Sequence, residues 1–447
     1  MDPIRNPYAP GAGQRPPELA GRDEQLRAFD VTLERIARGR PERSAVLTGL
    51  RGVGKTVLLN ALRSAAVRAG WGTGKLEARP EQRLRRPLSA AVHMAVRELS
   101  HPRPDEVAQV LGVVKAFAQR EATVGPARGG AGSRVALRDK WTVGIEVPAL
   151  TGRADSGDIE IDLVELLTDV GGLAADRGSG VAVFIDEMQD LGAEDVSALC
   201  AATHEISQNG LPVVLVGAGL PHLPALLSAS KSYSERLFRY SRIDRLDRAA
   251  ADHALTSPAA EEGATWSEGA LDAMYAVTAG YPYFVQAYGK AVWDSAIGPQ
   301  ISAADVAVAA PEAEAELAVG FFGSRFERAT PAEREYLRAM ADVAGATDNG
   351  GTDDGENEGV GTESGGTEGG GAGARGAGSG GARGRAGVEV ESVATADVAA
   401  LLGKKPQSLS PARDALLKKG LIYSGERGRI AFTVPHFGTY LRAHPES

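Results

Sequence analysis

"GLRGVGKTVLL", residues 49–59, decides how this chain is read. From Gly49 to Thr56 it fits GxxxxGK(S/T) without a mismatch. Ahead of it "SAVLTG" (44–49) reads as a short buried strand, and behind it "KTVLLNALRSAAVRAG" reads as a helix ended by Gly70. Strand, glycine loop and helix are the context in which this pattern builds a phosphate cradle. Glycines let successive N–H groups turn inward as an anion nest, and the helix beginning near Lys55 adds its positive dipole end. Lys55 then sets a charge on the β and γ phosphates, and the Thr56 hydroxyl ligates Mg²⁺. The expected nucleotide-binding residues are Gly49, Leu50, Arg51, Gly52, Val53, Gly54, Lys55, Thr56 and Val57. A glycine turn before an ordinary helix is the competing reading.

Further along, "GVAVFIDEMQDL" (180–191) is an apolar run that ends on two carboxylates. Ligands of parallel sheets gather beyond the carboxyl ends of the strands, so Asp186 and Glu187 should face the loop. Asp186 would hold Mg²⁺ through water, and Glu187 would polarise the attacking water. The competing reading makes them caps of the next helix, with Gln189 and Asp190 turned to solvent.

Around these motifs strands alternate with helices, which predicts a parallel sheet covered on both faces. Strands are expected near 74–78, at "WTVGIEV" (141–147) and at "LPVVLVGAG" (211–219), and "YSERLFRYSRIDRL" (233–246) reads as a helix end running into a strand. Helices are expected at 82–99, 105–121, 159–177 and 194–209. "GRDEQLRAFDVTLERIARG" (21–39) is amphipathic, with Leu26, Phe29, Leu33 and Ile36 at helical spacing. Strand signals stop beyond 247, where four helical segments suggest a small lid. From Thr347 to Gly387 the chain is low-complexity glycine, which cannot bury enough surface to offset its ordering entropy. It interrupts a segment that reads as helix, helix, helix and two short strands. The expected fold is α/β: a P-loop NTPase parallel sheet with helices on both faces, a small all-α lid and a C-terminal winged-helix domain. The expected divisions are an extended arm (1–22), the core (23–246), the lid (247–320), and the winged helix (321–447) with a disordered insertion at 347–387.

Composition narrows the function classes. A net charge of -9 argues against a chain that coats nucleic acid over its whole surface, though a local basic face remains open. One cysteine excludes a disulfide framework, and the seven histidines lack metal-ligand spacing. The first residues lack the apolar core of a secretory leader, and no run approaches the roughly 20 apolar residues of a membrane span. The cytosol is the expected location, with no membrane partner.

The pairing of "GLRGVGKT" with "VAVFIDEMQDL" resembles the Walker A and Walker B elements of AAA+ and STAND-type P-loop ATPases, and "GRDEQL" resembles the motif that opens the Orc1/Cdc6-like branch. The resemblance implies ATP and Mg²⁺ as cofactors. It implies an arm with Tyr8, Pro10 and Arg22 near the adenine, and Arg236, with Arg239 second, as an arginine finger reaching a γ-phosphate across a contact between copies. An exposed ion pair is the other fate of such an arginine. "AGYPYFVQ" resembles the turn of the STAND lid in which Pro282 touches nucleotide, although Tyr-Pro also suits an ordinary helix start. Two departures from the family pattern bear on turnover. Gly217, Ala218 and Gly219 stand where a polar sensor is usual, and the lid lacks the arginine that initiators carry, so slow hydrolysis or a nucleotide-reading switch is expected.

Lysine is scarce in this chain, yet Lys404, Lys405, Lys418 and Lys419 flank one short helix. Ser410 followed by Pro411 reads as N-cap and first helical residue, which places the helix from there to Lys419, with Gly420 as its stop. Gln407, Ser408, Ser410 and Arg413 would lie near the end where recognition helices meet base edges, and the hairpin tip would carry Arg427 and Arg429. Three readings stay open: a DNA-associated ATPase whose nucleotide state changes the grip of its winged helix, a signalling switch with protein partners only, and a toxin, defence or mobile-element component with the same engine.

Overall fold

The structure, a computed structural model, describes residues 1–11, 13–120, 146–349, 392–424, 428–434 and 436–445. The chain divides into two compact units, Met1–Phe321 and Phe322–Ser447. Among the described residues no helix is long and apolar enough to cross a membrane.

The first unit is built on β1 (Ser44–Thr48), β2 (Gly72–Glu77), β3 (Val181–Asp186), β4 (Val213–Gly219) and β5 (Phe238–Arg242). They pair in the order β2-β3-β4-β1-β5, every pair parallel. β1, β3 and β4 are buried along their whole length, as apolar strands must be when helices cover both faces. The helices Asp23–Ala37, Lys55–Arg68, Arg85–Glu98, Ile159–Arg177 and Ala193–Gln208 supply that cover. Phe29 of the first meets Phe184 of β3 edge-on, with ring centroids 6.2 Å apart. Because β4 separates β1 from β3, the glycine loop and the carboxylates leave the sheet on one edge with the end of β4 between them. The expected strand 141–147 lies outside the described residues, apart from Glu146 and Val147, which are not in a strand.

Beyond β5 the helices Arg248–Glu261, Glu268–Thr278, Pro282–Ser295 and Ala303–Leu317 follow. Three of these starts are fixed by local side chains: Asp247 accepts from the Ala250 N–H, Ser267 from Ala270, and Ser302 with Asp305 forms a capping box. Two-residue strands, Thr265–Trp266 and Gln300–Ile301, also pair in parallel here, where no strand was expected. They are too short to carry an alternation in sequence.

In the second unit the helix Pro331–Asn349 is followed by the strand Ser392–Ala394, helices Thr395–Leu401 and Pro406–Lys418, strands Ile422–Tyr423 and Arg429–Phe432, and the helix Phe437–Ala443. Arg429–Phe432 pairs antiparallel with both other strands. Helices with a small sheet in this order are consistent with a winged helix. The helix from Pro331 continues to Asn349, three residues into the stretch expected to be disordered, whose remainder from 350 lies outside the described residues. The helix expected to begin at Ser410 begins a turn earlier. Pro406 takes the first helical position behind Lys405, Pro411 sits inside, and the Ser410 hydroxyl bonds back to the Pro406 carbonyl at 3.4 Å. Both prolines suit a helix start, and the chain uses the earlier one.

Candidate nucleotide-binding site

The Gly49 N–H donates to the Gly219 carbonyl at 3.2 Å and so extends the β1–β4 ladder by one residue. A Cβ there would fall 2.2 Å from the Ile243 carbonyl oxygen, so only glycine lets the backbone pass. The loop then turns through Gly52 (φ +82°) and Gly54 (φ +89°), and Gly54 caps the helix Lys55–Arg68 without a side chain. Among the described residues no acceptor takes the amide hydrogens of Leu50 to Thr56. A run of unengaged N–H groups at a helix N-terminus is a cradle for an anion.

The Lys55 side chain is only 7% exposed, and its ammonium donates to the carbonyls of Gly49 at 3.0 Å and Leu50 at 2.8 Å. Burial pushes its pKa down from 10.5 to about 8, against the pull of Glu187 and Asp186, and nearby Arg51 lowers it further. An anion in the cradle would offset that cost.

Asp186 ends β3 almost fully buried, with its carboxylate accepting the Glu187 N–H at 3.0 Å. Glu187 sits at φ +50°, a left-handed conformation uncommon outside glycine, which bends the chain away from the strand into the turn Met188–Asp190. One Glu187 oxygen faces Arg51 Nη1 at 3.9 Å, and the other accepts from the Gln189 amide. Asp190 has its pKa raised by burial first and by Glu187 second. The strand-end carboxylates and the loop thus share one electrostatic neighbourhood.

Arg22 is buried against the loop from behind, donating to the carbonyls of Val53 at 3.1 Å and Asp244 at 2.6 Å. Tyr8 turns elsewhere. Its hydroxyl donates to the Leu255 carbonyl at 2.6 Å and accepts from Trp266 Nε1 at 2.9 Å, and its ring stands edge-on to Trp266 and Trp293. The aromatic ring expected beside adenine is buried among the helices of the bundle, where two tryptophan rings and the Leu255 carbonyl receive it. Pro10 is half-buried beside Ala9, whose N–H donates to Gln286. The arm reaches the loop at Gly13 instead, where a Cβ would touch the Thr56 methyl at 3.0 Å.

Pro282 starts its helix at the first position. The neighbour the sequence reading passed over, Tyr281, makes the contact: its hydroxyl donates to the Arg51 carbonyl and its ring lies where a Gly52 side chain would be. Gln189, which the competing reading turned to solvent, instead bonds Glu187 and the Leu220 N–H. Neither contact leaves a periodic trace, although the Gly-Tyr-Pro turn marked the neighbourhood of the first. Arg236 is exposed on the short helix Ser234–Leu237, and Arg239 is half-buried on β5.

In the second unit Lys404 pairs with Glu335 at 2.7 Å, Lys419 with Glu333 at 2.6 Å, and Arg413 with Asp414 at 3.0 Å, while Arg429 bonds Ser392. Lys405, Gln407 and Lys418 are exposed, the Ser408 hydroxyl donates to the Lys405 carbonyl, and Arg427 lies outside the described residues.

Residues 18–216 match the model of the AAA ATPase domain, and residues 319–357 and 385–441 that of a domain of unknown function, DUF8462. No curated protein matches the sequence. Among solved structures the chain resembles the Walker-type ATPase PABY2304 of Pyrococcus abyssi at 15% identity and a TM-score of 0.53, covering 96% of this chain and 97% of that one. It also resembles Cdc6p from Pyrobaculum aerophilum (14%, TM-score 0.40, 98% and 96% covered) and the Aeropyrum pernix Orc1 protein solved in complex with DNA (14%, 0.42, 99% and 96%). At these identities the likeness to the Pyrococcus protein speaks for the fold, a P-loop sheet. With its glycine loop and strand-end carboxylates inside the matched span, the chain carries an AAA ATPase domain, a nucleotide-binding P-loop module, in residues 18–216.

Proposed function

We propose that this protein binds ATP with Mg²⁺ and hydrolyses it slowly, acting as a switch that reads which nucleotide it holds. The observation that carries this is the run of unengaged amides from Leu50 to Thr56 beside a buried Lys55, with Asp186 and Glu187 in its field. The amides and the Lys55 ammonium would hold the β and γ phosphates. Thr56 and Asp186 carry the hard oxygen donors Mg²⁺ prefers, and the ion when bound neutralises phosphate charge. Glu187 would take a proton from a water whose oxygen bonds to the γ-phosphorus as the bond to the bridging oxygen breaks and ADP leaves. Glu187→Gln should keep ATP binding and slow phosphate release by about 100-fold or more, the usual worth of a positioned base. Release at the wild-type rate would refute the assignment.

For the second unit, we infer contact with duplex DNA through the exposed residues of the helix Pro406–Lys418, led by Lys405, Gln407 and Lys418. The alternative, protein partners only, is favoured by one observation: Lys404, Lys419 and Arg413 already pair with carboxylates of their own unit. Gel shifts with and without ATP at two salt concentrations separate the two, since phosphate contacts weaken steeply with salt. No shift at low salt eliminates DNA. Exposed Arg236 would act as a finger only between copies, so assembly that needs ATP would support it.

A further inference from the structure

β4 ends in Gly217-Ala218-Gly219, without a polar side chain. The reason lies in the turn that follows β3. A Cβ at Gly217 would fall 1.9 Å from Met188 Sδ, and one at Gly219 would fall 2.8 Å from Gln189 Oε1. The glycines make room: the bend at Glu187 folds Met188 and Gln189 back over the strand. Met188 fills the apolar space, at 2% exposure.

Gln189 does something more specific. Its Oε1 accepts the Leu220 N–H at 3.1 Å, and its Nε2 donates to Glu187 Oε2. The orientation of the amide is dictated by chemistry, since a backbone N–H needs an acceptor and a carboxylate needs a donor. One end is therefore anchored to rigid backbone just past β4, and the other grips the carboxylate.

We propose that Gln189 is a positioning residue for Glu187, supplying from the β3 turn the polar group that β4 lacks. The inference rests on the reading of Glu187 as the base. A base must hold its carboxylate within hydrogen-bond reach of the attacking water, and a small misplacement is expensive in rate. With Arg51 facing the other oxygen at 3.9 Å, the Gln189 amide fixes the orientation of the carboxylate.

Three variants test it by steady-state phosphate release across pH, with ATP affinity measured separately: Glu187→Gln, Gln189→Met and Gln189→Glu. Gln189→Met keeps the shape and loses both hydrogen bonds. It should lower kcat by about tenfold or more while KM and ATP affinity stay near wild type, and the melting temperature should fall only by the cost of leaving the Leu220 N–H without its acceptor. Gln189→Glu keeps the anchor to Leu220 but sets a second carboxylate against Glu187. That disfavours the ionised base, so the acid limb of kcat should move to higher pH, a shift Gln189→Met should not show. If both Gln189 variants keep kcat within about twofold and the same acid limb while Glu187→Gln is slow, the positioning role is overturned and the base stands. If Glu187→Gln turns over like wild type, or wild type does not turn over, the base and its positioner fall together.

Discussion

Lys55→Met should make the nucleotide-free protein more stable relative to wild type at pH 7 than at pH 10.5. The ammonium is 7% exposed and its pKa falls from 10.5 to about 8 on folding, chiefly through burial. Between those two values the unfolded chain holds a proton that the folded chain has released, so wild-type stability rises with pH across that window. At about 1.4 kcal/mol per pH unit the change amounts to about 3 kcal/mol, all of it cost at pH 7 and nearly all recovered by pH 10.5. Methionine removes the charge and has no such term. It also strands the Gly49 and Leu50 carbonyls, but that loss does not vary with pH and cancels when two pH values are compared. For the unit Met1–Phe321 about 3 kcal/mol is roughly 4–5 °C in melting temperature. Calorimetric melts of both proteins without nucleotide, at steps from pH 7 to 10.5, should show the advantage of the variant shrinking by that amount. A difference that stays constant within about 2 °C would refute the reasoning, because it would mean the ammonium is not desolvated. On the proposed reading wild-type affinity for ATP should weaken over the same range, since the charge proposed to meet the phosphates is lost from the free protein above about pH 8.

Gly217→Ala should destabilise by about 1–3 kcal/mol, as overpacking does, because its methyl would meet Met188. Denaturant unfolding of Gly217→Ala, Met188→Ala and the double variant should show strong coupling, and simple additivity would contradict the packing described here. Asp162→Ala should cost about 3–5 kcal/mol, since it leaves Arg85, paired to Asp162 at 2.6 Å and almost fully buried, without its counter-charge. Urea titration reads this directly, and a loss below about 1 kcal/mol would mean that water reaches the pair.

The parts of the fold that were legible are those written in consecutive residues. Gly49, Gly52, Gly54 and Lys55 stand at fixed spacing because a single loop must pass the Ile243 backbone, turn and start a helix within seven residues. Val181 to Asp186 reads as strand and site at once because a fully buried parallel strand has no polar face to dilute the signal. What was not legible was made by distant pairs. Tyr281 meets Arg51 across 230 residues and Tyr8 meets Trp266 across 258, and nothing at either end fixes the partner. The bare end of β4 was read as a missing function. It is a complementary surface, which becomes visible only once Met188 and Gln189 fold over it. In the helix Pro406–Lys418 two prolines offered the same local start, and local chemistry alone does not choose between them.

The loop's shape follows from where its carbonyls go. Those of Gly49 and Leu50 take the Lys55 ammonium, that of Arg51 takes the Tyr281 hydroxyl, and that of Val53 takes Arg22. Four of the loop's carbonyls are thus engaged before any ligand arrives. That is preorganisation, and its cost is met in folding instead of in binding. The donors differ in what a phosphate would do to them. On the proposed reading Lys55 is the one a triphosphate would compete for, and its departure would free two carbonyls, whereas Arg22 and Tyr281 would keep theirs. Once phosphate has drawn Lys55 away, the loop would be held from behind by one arginine at the start of the domain and one tyrosine from the helical bundle. The position of that tyrosine then becomes part of the loop's energy. The Tyr281 hydroxyl is thus a direct tie between the loop and the helix that Pro282 starts.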